Sequence, residues 1–245
     1  GDFSAWTGTT SNQGGQPTGV VGAWTMNEGE GATAYDYSGY GNNGTIYGAT
    51  WVEGIRGSAL KFDGQDDYVL VQDSDSLNPD YITLEAWVYI DSQKDNMVLH
   101  KEGMLHFSVD AAGRVGFYVV VNGTVHGSWS FAPTSLEAGK WHHIAATYDG
   151  SYMRAYADGV LVKTSHYIPG TLDSSTRSLS IGADAFRGIA YFNGTIDEVR
   201  IYNRALSEEE IENVYSNYGD PTLEAGKVLV RKWLTLSAFD FYTIP

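Results

Sequence analysis

A short loop near the start of the chain carries the oxygen groups that a hard cation prefers. Residues 36–43 read DYSGYGNN, with an acid at Asp36, a hydroxyl at Ser38, amides at Asn42 and Asn43, and glycines between them. Calcium takes about six to eight oxygen ligands, many of them backbone carbonyls, from flexible loops. The loop is therefore a candidate calcium site. The alternative is that Asp36 closes a turn by accepting hydrogen bonds from its own backbone.

A second set of residues has the chemistry for binding sugars. Exposed aromatic rings stack on the apolar faces of sugar rings, and nearby polar groups bond the hydroxyls. The candidate rings lie in the stretch from residue 118 to residue 191, and they are Tyr118, Trp129, Tyr152, Tyr167, Phe186 and Tyr191. The alternative is that some of these rings fill the protein core, where aromatic side chains bury large areas.

The sequence contains none of the motifs that would indicate catalysis. Retaining glycosidases need two carboxylates about 5–5.5 Å apart, which E-x-D-x-x-E on one strand can supply, and that motif does not occur. The motifs G-x-S-x-G and H-E-x-x-H are also absent. The adjacent His142 and His143 point to opposite faces of a strand, and the other histidines show no ligand spacing. We therefore expect no enzymatic activity and no histidine metal site.

Three Asn-Gly-Thr triplets are candidate N-glycosylation sites, at Asn43, Asn122 and Asn193. Asn-Gly is also a favourable hairpin turn, and such triplets arise by chance. Both interpretations stay open.

Composition limits the classes of partner. The 245 residues include 15 Lys and Arg against 30 Asp and Glu, so the net charge is −15. Such a chain repels nucleic acids and anionic membrane surfaces and attracts cations. No run approaches the roughly 18 apolar residues that a membrane span needs, so we expect no membrane insertion. The chain has no cysteine, which excludes disulfides, thiolate metal sites and cysteine nucleophiles.

The elements that must position these residues are short strands. Residues 82–90 alternate with period two and carry bulk on both faces, which predicts a central strand. Similar segments separated by Gly, Asn and Asp turns predict strands at 20–26, 58–62, 67–72, 97–101, 104–109, 114–121, 125–131, 141–148, 152–157, 178–182 and 195–202. So many short strands predict an all-β protein, either a sandwich, a jelly roll or a barrel.

One amphipathic helix is predicted near the C-terminus. Ser207 is placed to cap its first turn, and Glu210 three residues later completes a capping box. An apolar stripe follows at Ile211, Val214, Tyr215 and Tyr218, and the helix is expected to end at Gly219 and Pro221. This stripe should pack on the sheets.

Several segments, taken in order, resemble a known family. They are AWTMNEGEGATAYDYSGYGNNGTI at 23–46, GSALKFDGQDDYV at 57–69, TLEAWVYI at 83–90, WHHIAATYDG at 141–150, YADG at 156–159 and GTIDEVRIYNRALSEEEI at 194–211. Together they resemble the laminin G-like, concanavalin A-like jelly-roll domains of prokaryotic surface proteins. The resemblance implies an antiparallel jelly-roll β-sandwich of two sheets.

The same resemblance implies a structural calcium between the 36–43 loop and the acid of the IDEVRIY strand. The matching residues are Asp36 and Asp197, with Asn42 and Asn43 beside them. The alternative for Asp197 is an ion pair with Arg200 or Arg204.

Three segments are predicted: a polar arm at 1–19, a jelly-roll domain at 20–219 and a β-prone tail at 220–245. The family implies a secreted or cell-surface, non-catalytic module for carbohydrate binding or adhesion, whose partner is a carbohydrate or a neighbouring surface protein. The alternative is a structural subunit of an extracellular filament or surface array. In that case the two terminal segments join copies of the chain into a homo-oligomer.

Overall fold

The computed structural model describes residues 17–128, 130–133 and 135–217. The first eight strands are β1 (Val20–Trp24), β2 (Thr33–Ala34), β3 (Gly44–Tyr47), β4 (Thr50–Glu53), β5 (Ser58–Asp63), β6 (Tyr68–Val71), β7 (Ile82–Ile90) and β8 (Asn96–Lys101). They are followed by β9 (Leu105–Val109), β10 (Val115–Val121), β11 (Thr124–Ser128), β12 (Trp141–Tyr148), β13 (Met153–Ala157), β14 (Val160–Thr164), β15 (Leu179–Ile181) and β16 (Asn193–Tyr202). A short 3₁₀ helix lies at Asp75–Leu77, and the helix α1 at Glu208–Asn217.

The strands form two antiparallel sheets. Sheet 1 has the order β14-β13-β12-β7-β16-β5-β4, with β1 also paired to β16. Sheet 2 has the order β11-β10-β9-β8-β15-β6-β3-β2. The predicted all-β, antiparallel sandwich with one C-terminal helix is confirmed.

The core lies between the two sheets and follows the period of two in the strands. In β7, Ile82, Leu84 and Val88 face the core and are buried. Trp87, on the opposite face of the same strand, is also buried. The strand is therefore covered on both sides, as its two bulky faces predict.

Helix α1 provides the second cover of sheet 1. The Tyr215 ring stacks on Trp87 with their centroids 5.7 Å apart. The capping box is formed as predicted, since Glu210 N donates to Ser207 Oγ and Ser207 N donates to Glu210 Oε2. Tyr218, Gly219 and Pro221, with which the predicted helix was expected to end, lie outside the described residues. The predicted boundaries of the terminal segments stay predictions for the same reason.

Candidate functional site

Four strands of sheet 1 bring aromatic residues to one end of the sheet. Strands β7, β12, β13 and β14 are consecutive antiparallel neighbours, so the starts of β7 and β13 lie beside the ends of β12 and β14. Tyr81 precedes β7, Asp149 follows β12, Tyr152 precedes β13 and Tyr167 follows β14. These four residues and Arg154 are called the aromatic platform below.

Two rings of the platform were predicted as sugar contacts, and the structure brings them together. The Tyr152 and Tyr167 rings are 5.8 Å apart between centroids and meet at 61°. Tyr167 is 60% exposed and Tyr152 is 37% exposed, so both remain accessible. Tyr81 is 40% exposed at the same end of the sheet. The platform thus presents apolar ring surface to solvent.

A charged pair lies directly beside these rings. Arg154 Nη1 is 2.6 Å from Asp149 Oδ2, and the Arg154 guanidinium lies 5.6 Å from the centre of the Tyr152 ring. Burial raises the pKa of Asp149, but hydrogen bonds from Arg154 and from the backbone N–H groups of Tyr152 and Ser151 outweigh this effect and keep that pKa below its ordinary value. Asp149 is therefore a fixed carboxylate, and the pair offers both donors and acceptors for hydroxyl groups.

The loop that carries Tyr167 is tied to the neighbouring hairpin. The Tyr148 hydroxyl lies 3.0 Å from the carbonyl oxygen of Ile168 and 2.9 Å from that of Gly170. Ile168 N donates to the carbonyl oxygen of Ser151 at 2.7 Å, and Gly170 N donates to that of Gly150 at 3.1 Å. Tyr167 is consequently held in place before any ligand arrives.

The other predicted rings lie elsewhere. Tyr118, on β10, stacks on His106 with centroids 4.6 Å apart. Phe186, in the loop after β15, is exposed beneath the Arg177 guanidinium. Tyr191, before β16, lies near Tyr68, which stacks in turn on Tyr47. Trp129 is outside the described residues. The structure therefore groups Tyr152 with Tyr167 and associates the remaining described rings with sheet 2.

Asp36 organises its own loop. Its Oδ1 accepts from the backbone N–H groups of Ala23 and Ser38, and its Oδ2 accepts from the Ser38 hydroxyl and from Asn42 N. Asn43 Oδ1 accepts from Asp36 N. These bonds are those of the alternative interpretation, in which Asp36 closes a turn. With four donors on its two oxygens, Asp36 is a poor fit for a calcium ligand.

Asp197 fits a cation site better than Asp36 does. It is fully buried, where its Oδ2 accepts from Ile55 N at 3.0 Å and its Oδ1 from Glu198 N at 2.8 Å. Burial and the neighbouring charge of Glu198 raise the pKa of Asp197 to about 8. A cation would remove this penalty by neutralising the carboxylate.

The hydrogen bonds tie the predicted calcium ligands to different partners, and their shared site stays a prediction. No residue contacted by Asp36 is among those that Asp197 contacts in the bonds above, and the Asn42 side chain bonds to Val21 and Ser76. The two arginines proposed as alternative partners of Asp197 form ion pairs with Glu85, Glu198 and Glu210.

The candidate glycosylation residues differ in accessibility. Asn122 is exposed in the turn between β10 and β11, with a φ of 52°. Asn43 is exposed, and its side-chain oxygen is bonded within the 36–43 loop. Asn193 Nδ2, the atom that a glycan would modify, donates to the carbonyl oxygen of Asp63 at 2.8 Å. All three remain predictions, and Asn122 is the least encumbered of them.

The family is shown by sequence comparison. The profile of the concanavalin A-like lectin/glucanases superfamily, of the laminin G type, matches residues 63–212. The chain belongs to this superfamily, as its motifs predict. No curated protein matches the sequence.

Solved structures show the same fold in binding domains. The binding domain of Paraclostridial mosquitocidal protein 1 superposes with a TM-score of 0.65 at 17% identity, covering 82% of this chain and 52% of that one. Domain 4 of AbnA, an extracellular GH43 arabinanase of Geobacillus stearothermophilus, was solved with arabinotriose. It gives a TM-score of 0.64 at 18% identity and covers 80% of this chain and 98% of that one.

The binding domain of botulinum neurotoxin serotype D gives a TM-score of 0.61 at 16% identity, covering 81% of this chain and 52% of that one. The chain thus spans about half the length of the mosquitocidal and neurotoxin domains. At these identities the likeness establishes the fold. Within residues 17–128, 130–133 and 135–217, the single helix is too short and too polar to cross a bilayer.

Proposed function

We propose that this protein is a non-catalytic carbohydrate-binding module and that the aromatic platform is its binding surface. The observation that carries the proposal is the exposed Tyr152–Tyr167 pair beside the Arg154–Asp149 ion pair. Ring faces supply apolar contact for the C–H face of a sugar, and the charged pair supplies hydrogen bonds for its hydroxyls. Both features occur within one end of a rigid sheet.

The fixed position of Tyr167 supports this function. A ligand that meets a loop already held in place loses less binding free energy to ordering that loop. The hydrogen bonds from Tyr148 and Ile168 supply that fixation. Binding domains among proteins of the same fold, one of them solved with arabinotriose, are consistent with the proposal.

The net charge of −15 narrows the ligand class. An acidic protein disfavours uronic-acid and sulfated glycans, because like charges repel at the encounter. We therefore propose a neutral oligosaccharide, such as a chain of unsubstituted pentoses or hexoses.

The test is binding to a panel of neutral and acidic glycans by array and by affinity electrophoresis. The full chain should retain neutral glycans, and a variant with Tyr152→Ala and Tyr167→Ala should lose at least tenfold in affinity. Tyr40→Ala removes an equally exposed tyrosine from the 36–43 loop and should bind as the unmodified chain does. Equal affinity of the double variant, or no glycan bound by the full chain, contradicts the proposal.

A structural calcium and an extracellular or cell-surface location are also proposed. Asp197 supports the calcium, being a buried carboxylate with no ion pair among the described residues. The net negative charge attracts cations and so adds support. The alternative function, as a filament or array subunit, depends on the terminal segments. Those segments lie outside the described residues, so it stays a prediction.

A further inference from the structure

A buried group of three ionisable side chains lies on sheet 2, whereas the aromatic platform lies on sheet 1. His100 is on β8, Glu102 follows that strand, and Asp184 follows β15, which pairs with β8. His100 Nδ1 is 3.3 Å from Asp184 Oδ1, and His100 Nε2 is 3.4 Å from Glu102 Oε2. The side chains of His100 and Asp184 are each 1% exposed. One donor atom from each of the three residues lies within 4.8 Å of the others.

This arrangement places two hydrogen-bond acceptors face to face. A neutral imidazole carries a proton on only one ring nitrogen, and the other nitrogen presents a lone pair. Because a carboxylate faces each nitrogen of His100, one nitrogen lone pair must face a carboxylate oxygen in either tautomer. His100 Nε2 and Glu102 Oε2 are in fact both buried without a hydrogen-bond partner. Such a contact is repulsive unless a cation lies between the two atoms.

The charge balance of the group also favours a bound cation. Arg187 Nη2 is 2.8 Å from Glu102 Oε1, and Arg187 Nη1 is 3.2 Å from Asp184 Oδ2. One guanidinium against two carboxylates leaves one negative charge uncompensated while His100 is neutral.

We propose that His100, Glu102 and Asp184 form a binding site for a divalent transition-metal ion, with zinc as the representative case. One imidazole nitrogen and two carboxylates are a ligand set that zinc accepts, with water completing the coordination. Adjacent ligands on a zinc ion with bonds of about 2.0–2.2 Å are separated by roughly 3.4 Å, which is the distance between His100 Nε2 and Glu102 Oε2. Asp184 supplies the third donor atom of the group that lies within 4.8 Å. A direct N–H···O hydrogen bond is shorter, about 2.9 Å.

The Arg187 side chain gives the ion a route into the site. It is 48% exposed and covers the outer oxygens of both carboxylates, while the Glu102 side chain is 23% exposed. The guanidinium therefore competes with the metal for the same carboxylates and can withdraw into solvent when the metal binds. The spacing of residues in the sequence predicts no histidine site here, because Asp184 reaches His100 only through the pairing of β15 with β8.

The experiment uses the full chain, stripped with a chelator and then titrated with zinc by calorimetry, with bound metal counted by mass spectrometry. The chain should bind one zinc ion. His100→Gln and Glu102→Gln should each weaken binding at least tenfold, and Arg187→Gln should bind at least as tightly as the unmodified chain. His142→Gln is the matched control and should leave binding unchanged. His142 lies on β12 of sheet 1, where its ring contacts Asp158 Oδ2 at 2.9 Å and the carbonyl oxygen of Glu137 at 3.1 Å.

Circular dichroism first establishes which variants fold. If His100→Gln does not fold, the test relies on Glu102→Gln and Arg187→Gln, because these two side chains are partly exposed. No zinc bound by the full chain, or equal affinity in the folded Glu102→Gln variant, overturns the proposal. If the full chain binds no zinc and NMR shows His100 as an imidazolium near pH 7, a proton on the ring supplies the positive charge. That result would overturn the proposal as well.

Discussion

Tyr167 shows how far a binding residue can be inferred from sequence. Its type and its place outside the strands mark it as a candidate, and the structure places it in contact with Tyr152. Tyr118 has the same side chain, yet it is stacked on His106. The difference lies in what covers each ring. Coverage depends on loops that join only in the folded chain, so the residue type alone cannot separate the two.

Asp36 and Asp197 make a second comparison at the residue scale. Both were matched to calcium through the family resemblance. The structure gives Asp36 four hydrogen-bond donors, three from its own loop and one from Ala23 on β1, and leaves Asp197 buried with a raised pKa. Substitution of each carboxylate therefore has a different expected outcome.

Asp197→Asn should abolish the stabilisation by calcium. If the site binds calcium, the unmodified chain in calcium at about 100 times Kd gains about 2.7 kcal/mol over the chain in excess chelator. The variant should melt at the same temperature in both solutions, because an amide lacks the charge that holds the ion. Differential scanning calorimetry measures the melting temperature of each chain in the two solutions. A calcium-dependent increment that survives in the variant would rule out Asp197 as a ligand.

Asp36→Asn serves as the companion variant. It should lower stability by about 1–3 kcal/mol in calcium and in chelator alike, since an amide nitrogen cannot accept the bonds that Oδ2 now accepts. The increment due to calcium should remain. Loss of that increment in Asp36→Asn would instead make Asp36 part of the calcium site.

The strands and the helix differ in how much the sequence reveals of them. Strand β7 is predicted because its alternation runs through nine residues. Strands β2, β3 and β4 are two to four residues long and carry no long alternation, so no sequence pattern predicts them. They form because neighbouring strands offer them pairing edges: β4 pairs with β5, β3 with β6, and β2 with β3. Helix α1 is predicted because its capping box is local.

The start of helix α1 should show a defined pH dependence. Hydrogen bonds from Arg204, and then from Ser207, lower the pKa of Glu210 below its usual 4.5, although burial opposes this. Since the folded-state pKa is lower than that of the unfolded chain, the contribution to stability is full above about pH 4.5 and is lost as pH falls through the folded-state pKa.

Glu210→Gln should therefore melt below the unmodified chain at pH 7, and the two melting curves should converge at acid pH. Glu209→Gln changes an exposed residue on the same turn and serves as the control. This variant should melt at the same temperature as the unmodified chain throughout the pH range. Thermal unfolding followed by circular dichroism between pH 3 and pH 7 gives the comparison. A constant difference between Glu210→Gln and the unmodified chain across that range would contradict the assignment.

At the scale of the whole molecule, both sheets and helix α1 lie within residues 17–217. A chain cut to these residues should fold cooperatively and melt within a few degrees of the full chain, because it keeps the described core. Calorimetry tests the fold, and light scattering compares the two chains for assembly. A truncated chain without a cooperative transition would show that the terminal segments complete the fold. Assembly of the full chain alone would favour the filament alternative over an isolated binding module.

The central claim, that the aromatic platform binds a neutral oligosaccharide, is tested most directly by locating the ligand. The measurement is an NMR titration of the isotope-labelled chain with the best glycan from the panel, following backbone amide shifts. We expect the largest shifts at residues 149–154 and 166–168, with none centred on the 36–43 loop or on the His100 group. Shifts centred on either of those regions, with the amides of Tyr152 and Tyr167 unmoved at saturation, would contradict the claim.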